Sequence, residues 1–233
     1  MHKTMTALWV GMGALLAPAL ASAHIAVASG PGFANTTQVV SFGVGHGCEG
    51  SDTYKVRIEI PAGVTSVRPE WSEFGKVSVE KDAAGTVTAV VWQKSDQALL
   101  DADISYYTLK VRLKVPNQPF STLYFPTHQT CKASDGTLSQ AEWVGIPNGS
   151  GGSTAPEPAP ALQIVPARSP GWNKFTIPSA IADLSVFFGD AQIVWKGKAA
   201  YSPSATTMEL AKATSGVTEL TSLQANDEVW VRY

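Results

Sequence analysis

Two stretches of this chain alternate with a period of two. In Tyr54–Ile60, Tyr54, Val56, Ile58 and Ile60 are apolar, while Lys55, Arg57 and Glu59 between them are charged. Tyr107–Val115 repeats the pattern over nine residues. Successive side chains of a strand point to opposite faces, so this spacing predicts strands with one face buried. Shorter runs at 39–44, 76–80, 87–92 and 123–125 read the same way. They are separated by turn signals at Pro61-Ala62-Gly63, residues 82–85 and Pro116-Asn117. About seven strands at this spacing predict an all-β chain built on an antiparallel β-sandwich. No helical periodicity longer than two turns appears beyond the first residues.

Composition divides the chain. Residues 1–23 carry a basic start, an apolar run and Ala21-Ser22-Ala23, the small-residue pattern of a cleaved secretory signal peptide. Residues 24–147 form the sandwich. Residues 148–161 begin NGSGGSTAPEPAP, a mixture of flexible Gly/Ser and stiff Pro that reads as a linker. Residues 162–233 form a second, smaller β-rich domain, with alternation at Phe175 and Ile177 and again at Val229 and Val231. Its small size predicts that its aromatic residues build its core, its tryptophans there rather than at a ligand site. Its Pro170-Gly171-Trp172-Asn173 segment is similar to Gly-Trp-Asn modules appended to exported proteins.

Charge and motifs narrow the function. Loss of residues 1–23 removes Lys3 and no acid, leaving sixteen basic and nineteen acidic side chains and a net charge of −3. That balance argues against a nucleic-acid or anionic-lipid partner. After processing, no apolar stretch approaches the ~20 residues that span a bilayer. No Gly-x-Ser-x-Gly elbow, HExxH or phosphate-binding glycine loop is present. The reading is therefore of a non-enzyme.

The cysteines are two, Cys48 and Cys131. In an oxidising compartment such a pair forms one disulfide, worth roughly 4 kcal/mol for a loop of this length in the chain-entropy model. A copper–thiolate site is the competing reading, disfavoured because no CxxC spacing accompanies the pair. On strand parity, Val40, Phe42, Val44, His46 and Cys48 share a face, although Gly45 and Gly47 interrupt it. A disulfide would bring His128 toward the Gly45–Gly50 loop. The ordinary role for either histidine is a hydrogen-bonded residue at a sandwich edge.

Cleavage after Ala23 makes His24 the first residue of the mature chain. Its α-amine and imidazole Nδ1 can close on one metal as a chelate, which suits the tetragonal nitrogen and oxygen ligation of Cu(II).

The first unit resembles the exported YcnI-like copper-binding domains. The residues that carry the likeness are Ala23-His24-Ile25, Gly45-His46-Gly47-Cys48-Glu49-Gly50-Ser51, Ile60-Pro61-Ala62-Gly63-Val64 and Val67-Arg68-Pro69. It continues through Leu123-Tyr124-Phe125-Pro126, Gln129-Thr130-Cys131 and Glu142-Trp143-Val144-Gly145-Ile146-Pro147. The resemblance implies Cu(II) held by a single-histidine brace on His24, an acid completing the site and a tryptophan, Trp143, close to the metal without ligating it. Relatives carry an Asp-Glu-Phe segment where this chain reads Ser105-Tyr106-Tyr107, so the expected acid is missing there. Glu49 is the favoured replacement, with Glu142, His46 and His128 as alternatives. The implied role is copper homeostasis or delivery in the periplasm or outside the cell, without a catalytic step and with another copper-handling envelope protein as partner; a copper-dependent oxidase is the outlying alternative. An envelope structural or interaction protein without metal is the alternative.

Overall fold

A computed structural model of the chain describes residues 24–147 and 157–233. The proposed signal peptide and most of the proposed linker lie outside the described residues. The first unit contains β1 (Ala26–Val27), β2 (Gly32–Phe33), β3 (Thr37–Val44), β4 (Asp52–Glu59), β5 (Thr65–Pro69) and β6 (Lys76–Lys81). It continues with β7 (Val87–Gln93), β8 (Tyr107–Lys114), β9 (Ser121–Tyr124), β10 (Thr127–Lys132), β11 (Leu138–Trp143) and β12 (Ala161–Val165). One sheet has the order β1-β3-β8-β5 and another β11-β10-β4-β7-β6, with every neighbouring pair antiparallel.

Alternation explains the core. Val40, Phe42 and Val44 of β3 and Leu109, Val111 and Leu113 of β8 are fully buried, and they pack in one cluster with Val56 and Ile58 of β4 and Val90 and Trp92 of β7. Burial of this apolar surface drives the sandwich together. Phe42 and Phe125 meet edge to face across it at 5.2 Å.

β10 was not apparent from hydrophobic alternation, and its residues show why. Its inward positions are Thr127, Gln129 and Cys131, all buried but only the last apolar in character. A strand that buries polar side chains must satisfy them with hydrogen bonds. Thr127 Oγ1 donates to Phe125 O at 2.8 Å, and Gln129 is bonded at both ends of its amide.

The end of the sandwich differs from the composition-based boundary. β12, assigned by composition to the end of the linker and the start of the second domain, pairs antiparallel with β9 and parallel with β2. Leu162 and Ile164 are fully buried in the first core. The residues that follow the Pro/Gly/Ser-rich run therefore belong to the sandwich, and the second unit begins only after β12.

The second unit contains β13 (Trp172–Thr176), α1 (Ser185–Phe188), β14 (Ile193–Lys196), β15 (Ala199–Tyr201), α2 (Ala205–Ala213), β16 (Thr218–Glu219) and β17 (Glu228–Arg232). Its sheet order is β13-β17-β14-β15-β16. Helix α2, unexpected from periodicity, buries only Met208 and Ala211, and Ser204 caps it by accepting from Thr207 N–H. Among the described residues no helix is long and apolar enough to cross a membrane.

Aromatic residues do build this core, but the expectation that the tryptophans are among them is corrected. Aliphatic residues and phenylalanines fill it, while Trp172 and Trp230 are each 51% exposed. Val229 and Val231 point inward, so the alternation of β17 turns Trp230 outward. The core also takes Phe120 from the β8–β9 connection of the first unit, whose ring meets Phe175, Phe187 and Phe188.

Candidate functional site

His24 lies two residues before β1, an edge strand of its sheet, and Trp143 ends β11, an edge strand of the other. Their ring centroids lie 5.2 Å apart in an edge-to-face arrangement. His24 is exposed and Trp143 is 5% exposed, so the pair joins the rim of the sandwich to its core.

Trp143 is fixed from beneath. Its indole Nε1 donates to Gln129 Oε1 at 2.9 Å, and Gln129 Nε2 donates to His46 O at 2.7 Å and Thr53 Oγ1 at 2.9 Å. One buried amide thus links the tryptophan under His24 to the loop after β3. The β1–β3 register, Ala26↔Gly43 and Val27↔Phe42, continued by two residues sets His24 opposite Gly45, next to His46. His46 is half-buried, and its Nδ1 contacts Gly47 O. A carbonyl only accepts, so Nδ1 carries the proton in that contact, and in the neutral ring Nε2 holds the lone pair.

The loop is held by three local devices. A side chain at Gly47 would place its Cβ 1.8 Å from Ser51 O, so only glycine permits that approach. Cys48 and Ser51 form a bridge around Glu49 and Gly50, whose φ values of 51° and 82° give the paired left-handed conformation of a tight hairpin turn. The Cys48–Cys131 disulfide, with Cα atoms 5.6 Å apart, then ties the loop to β10. Glu49 stands at the exposed tip of that turn.

His128 and Glu142 occupy the other side of the sheet. Along β10 and β11 their neighbours Gln129 and Trp143 point inward, so the two point outward. His128 Nδ1 contacts Glu142 Oε2, and its Nε2 lies 3.2 Å from Glu59 Oε1. Each imidazole nitrogen is thereby engaged by a carboxylate, and neither is directed toward Trp143. Arg57 extends this outer network by bonding both Glu59 and Glu80. The Arg57 guanidinium holds both carboxyls below their ordinary range. Strand parity therefore sets His128 and Glu142 apart from the face on which His24 meets Trp143.

Two residues that sequence reasoning overlooked enter here. Gln129 lies in the Gln129-Thr130-Cys131 segment of the family likeness but was given no role there, and its burial in a weakly patterned strand reveals one. Asp103, two residues before the segment in which an acid was expected, is half-buried with its Cγ 3.3 Å from where a Cβ would stand at Gly47. Its backbone N–H bonds Gly50 O at 3.0 Å, which fixes it against the same loop. Among the described residues no three His, Cys, Asp or Glu side chains form a metal-sized group. A brace differs in kind, because two of its donors belong to one residue.

The fold and its edge site define an immunoglobulin-like β-sandwich with an appended β-rich unit. The family described as "Domain of unknown function (DUF1775)" matches residues 24–164, more than half of the chain, and the chain belongs to it. This is the family of the YcnI-like proteins. Its match ends within β12, in accord with the pairing of that strand to the sandwich.

A solved structure of an uncharacterized protein from Nocardia farcinica, described as having an immunoglobulin-like fold, is similar at a TM-score of 0.51 and 23% identity. The match covers 62% of this chain and 99% of that one, and supports the fold alone. The major pilin subunit BcpA of Bacillus cereus is more distant, at a TM-score of 0.37 and 10% identity over 90% of this chain and 55% of that one. No curated protein matches the chain.

Proposed function

We propose that the mature chain is an exported Cu(II)-binding protein of copper homeostasis or delivery, acting in the periplasm or outside the cell. The observation that carries this reading is the His24–Trp143 contact, since a metal-binding residue at a chain start needs a defined surface to lie against. The His24 α-amine, once released by cleavage, and the imidazole Nδ1 supply a two-nitrogen chelate. Copper bound there would supply a Lewis-acidic, redox-active centre.

His24 fits such a role chemically, and Trp143 limits water access from the core side. Of the carboxylates, Glu49 lies within the Gly45–Gly50 loop and Asp103 packs against it, and either would add negative charge near the site. His46 remains a nitrogen donor through Nε2. The reading is one of binding rather than turnover.

Cu(II) titration of protein beginning at His24, beside protein with one extra residue before it, tests the reading. The extension converts the amine into an amide and should abolish tight binding. His24→Ala should do the same by removing Nδ1. Wild-type affinity in either protein would overturn the brace.

The exposed Trp172 and Trp230 favour a second reading, an envelope interaction protein that binds no metal. Under it, copper leaves the fluorescence of the His24-first protein unchanged. A copper-dependent oxidase would additionally consume a reductant and oxygen.

A further inference from the structure

Asp52 opens β4, and Lys94 directly follows β7, the strand paired to it. Both are buried, with 1% and 5% of their surfaces exposed. Lys94 Nζ lies 2.5 Å from Asp52 Oδ2 and 2.7 Å from the Tyr107 hydroxyl, which itself donates to Asp52 Oδ1 at 2.7 Å. The Leu100 N–H donates to Oδ2 at 2.9 Å. Aromatic rings complete the enclosure, with Nζ 4.2 Å from the Tyr107 centroid and 5.1 Å from that of Phe74.

We propose that Lys94 and Asp52 are joined by an intramolecular isopeptide bond. A buried ion pair carries the desolvation cost of two charges, whereas an amide is uncharged and carries only the smaller cost of a polar group. The amine and the carboxyl carbon are held together by two paired strands, which makes their encounter intramolecular. In the reaction the Nζ lone pair forms the Nζ–Cγ bond and the Cγ–Oδ1 bond breaks. Two of the three protons on the Lys94 ammonium move to Oδ1, which leaves as water, and the third remains on the amide nitrogen.

Tyr107 stands where those protons must pass, 2.7 Å from both the donor nitrogen and the departing oxygen. Oδ2 stays as the amide oxygen and keeps its bond from Leu100, a donor aimed at the oxygen that gains charge during attack. The product ties β4 to β7 just beyond the disulfide at Cys48. The inference is independent of any metal at His24.

Mass spectrometry of the purified mature protein, reduced and alkylated, tests it. The intact mass should fall short of the mass expected for the alkylated sequence by one water, and digestion should yield one branched peptide containing both Asp52 and Lys94. Lys94→Arg should restore the full mass. Full mass in the wild-type protein overturns the proposal, and so does a lost water with Asp52 and Lys94 in separate peptides, as a succinimide would give. Tyr107→Phe should lower the cross-linked fraction at equal times after synthesis, and an unchanged fraction overturns the proton relay.

Discussion

Gln129 holds Trp143 by a 2.9 Å hydrogen bond from the indole nitrogen to its side-chain oxygen, while its amide nitrogen reaches the backbone of His46. A single buried side chain therefore couples the aromatic surface beneath His24 to the disulfide-bound loop. Because the bonds are internal and shielded from water, losing them leaves several polar atoms unsatisfied at once.

Replacing Gln129 with Leu should destabilise the sandwich by about 2–4 kcal/mol, since the Trp143 indole, His46 carbonyl and Thr53 hydroxyl lose a partner together. Urea unfolding followed by tryptophan fluorescence measures this. Stability equal to wild type would mean that the amide network contributes nothing.

The carboxylate beside the proposed copper site is resolved by two conservative changes. Asp103→Asn should weaken Cu(II) binding more than Glu49→Gln, because Asp103 is half-buried against Gly47 whereas Glu49 sits at an exposed tip. Copper affinity of the His24-first protein should also rise with pH as the α-amine, with a reference pKa near ~7.8, loses its proton. Isothermal titration across pH 6–9 measures both, taking about that range around the amine.

Phe120 joins the two units. Phe120→Ala should cost about 3–5 kcal/mol in the second unit by emptying a space among Phe175, Phe187 and Phe188. Hydrogen exchange should show lost protection in β13 and β17 with the first sandwich unaffected. Equal loss in both units would reject Phe120 as a local anchor.

The outer network predicts an acid-side dependence. Arg57 depresses the Glu59 and Glu80 carboxyls, so their stabilisation is present above the unfolded glutamate pKa of about 4.3 and is lost as pH falls through the lower folded values. Arg57→Met should flatten the decline in melting temperature on acidification below that point. Both carboxylates are well exposed, so the effect is a modest one.

Alternation along Tyr54–Ile60 and Tyr107–Val115 was enough to establish strands and an all-β class, because burial of one sheet face writes a period of two into the sequence. The two cysteines were enough to propose their pairing, and the residues around His46, Cys131 and Trp143 to propose the family. Tertiary structure decided what lay across strands. Whether His128 and Glu142 join Trp143 depends on the face each takes, and a one-residue offset sends them to the opposite side. Asp103 comes to Gly47 through a loop with no periodic pattern, and Lys94 meets Asp52 only because β7 pairs with β4. Such contacts are set by register between distant segments, a relation that local sequence pattern does not encode.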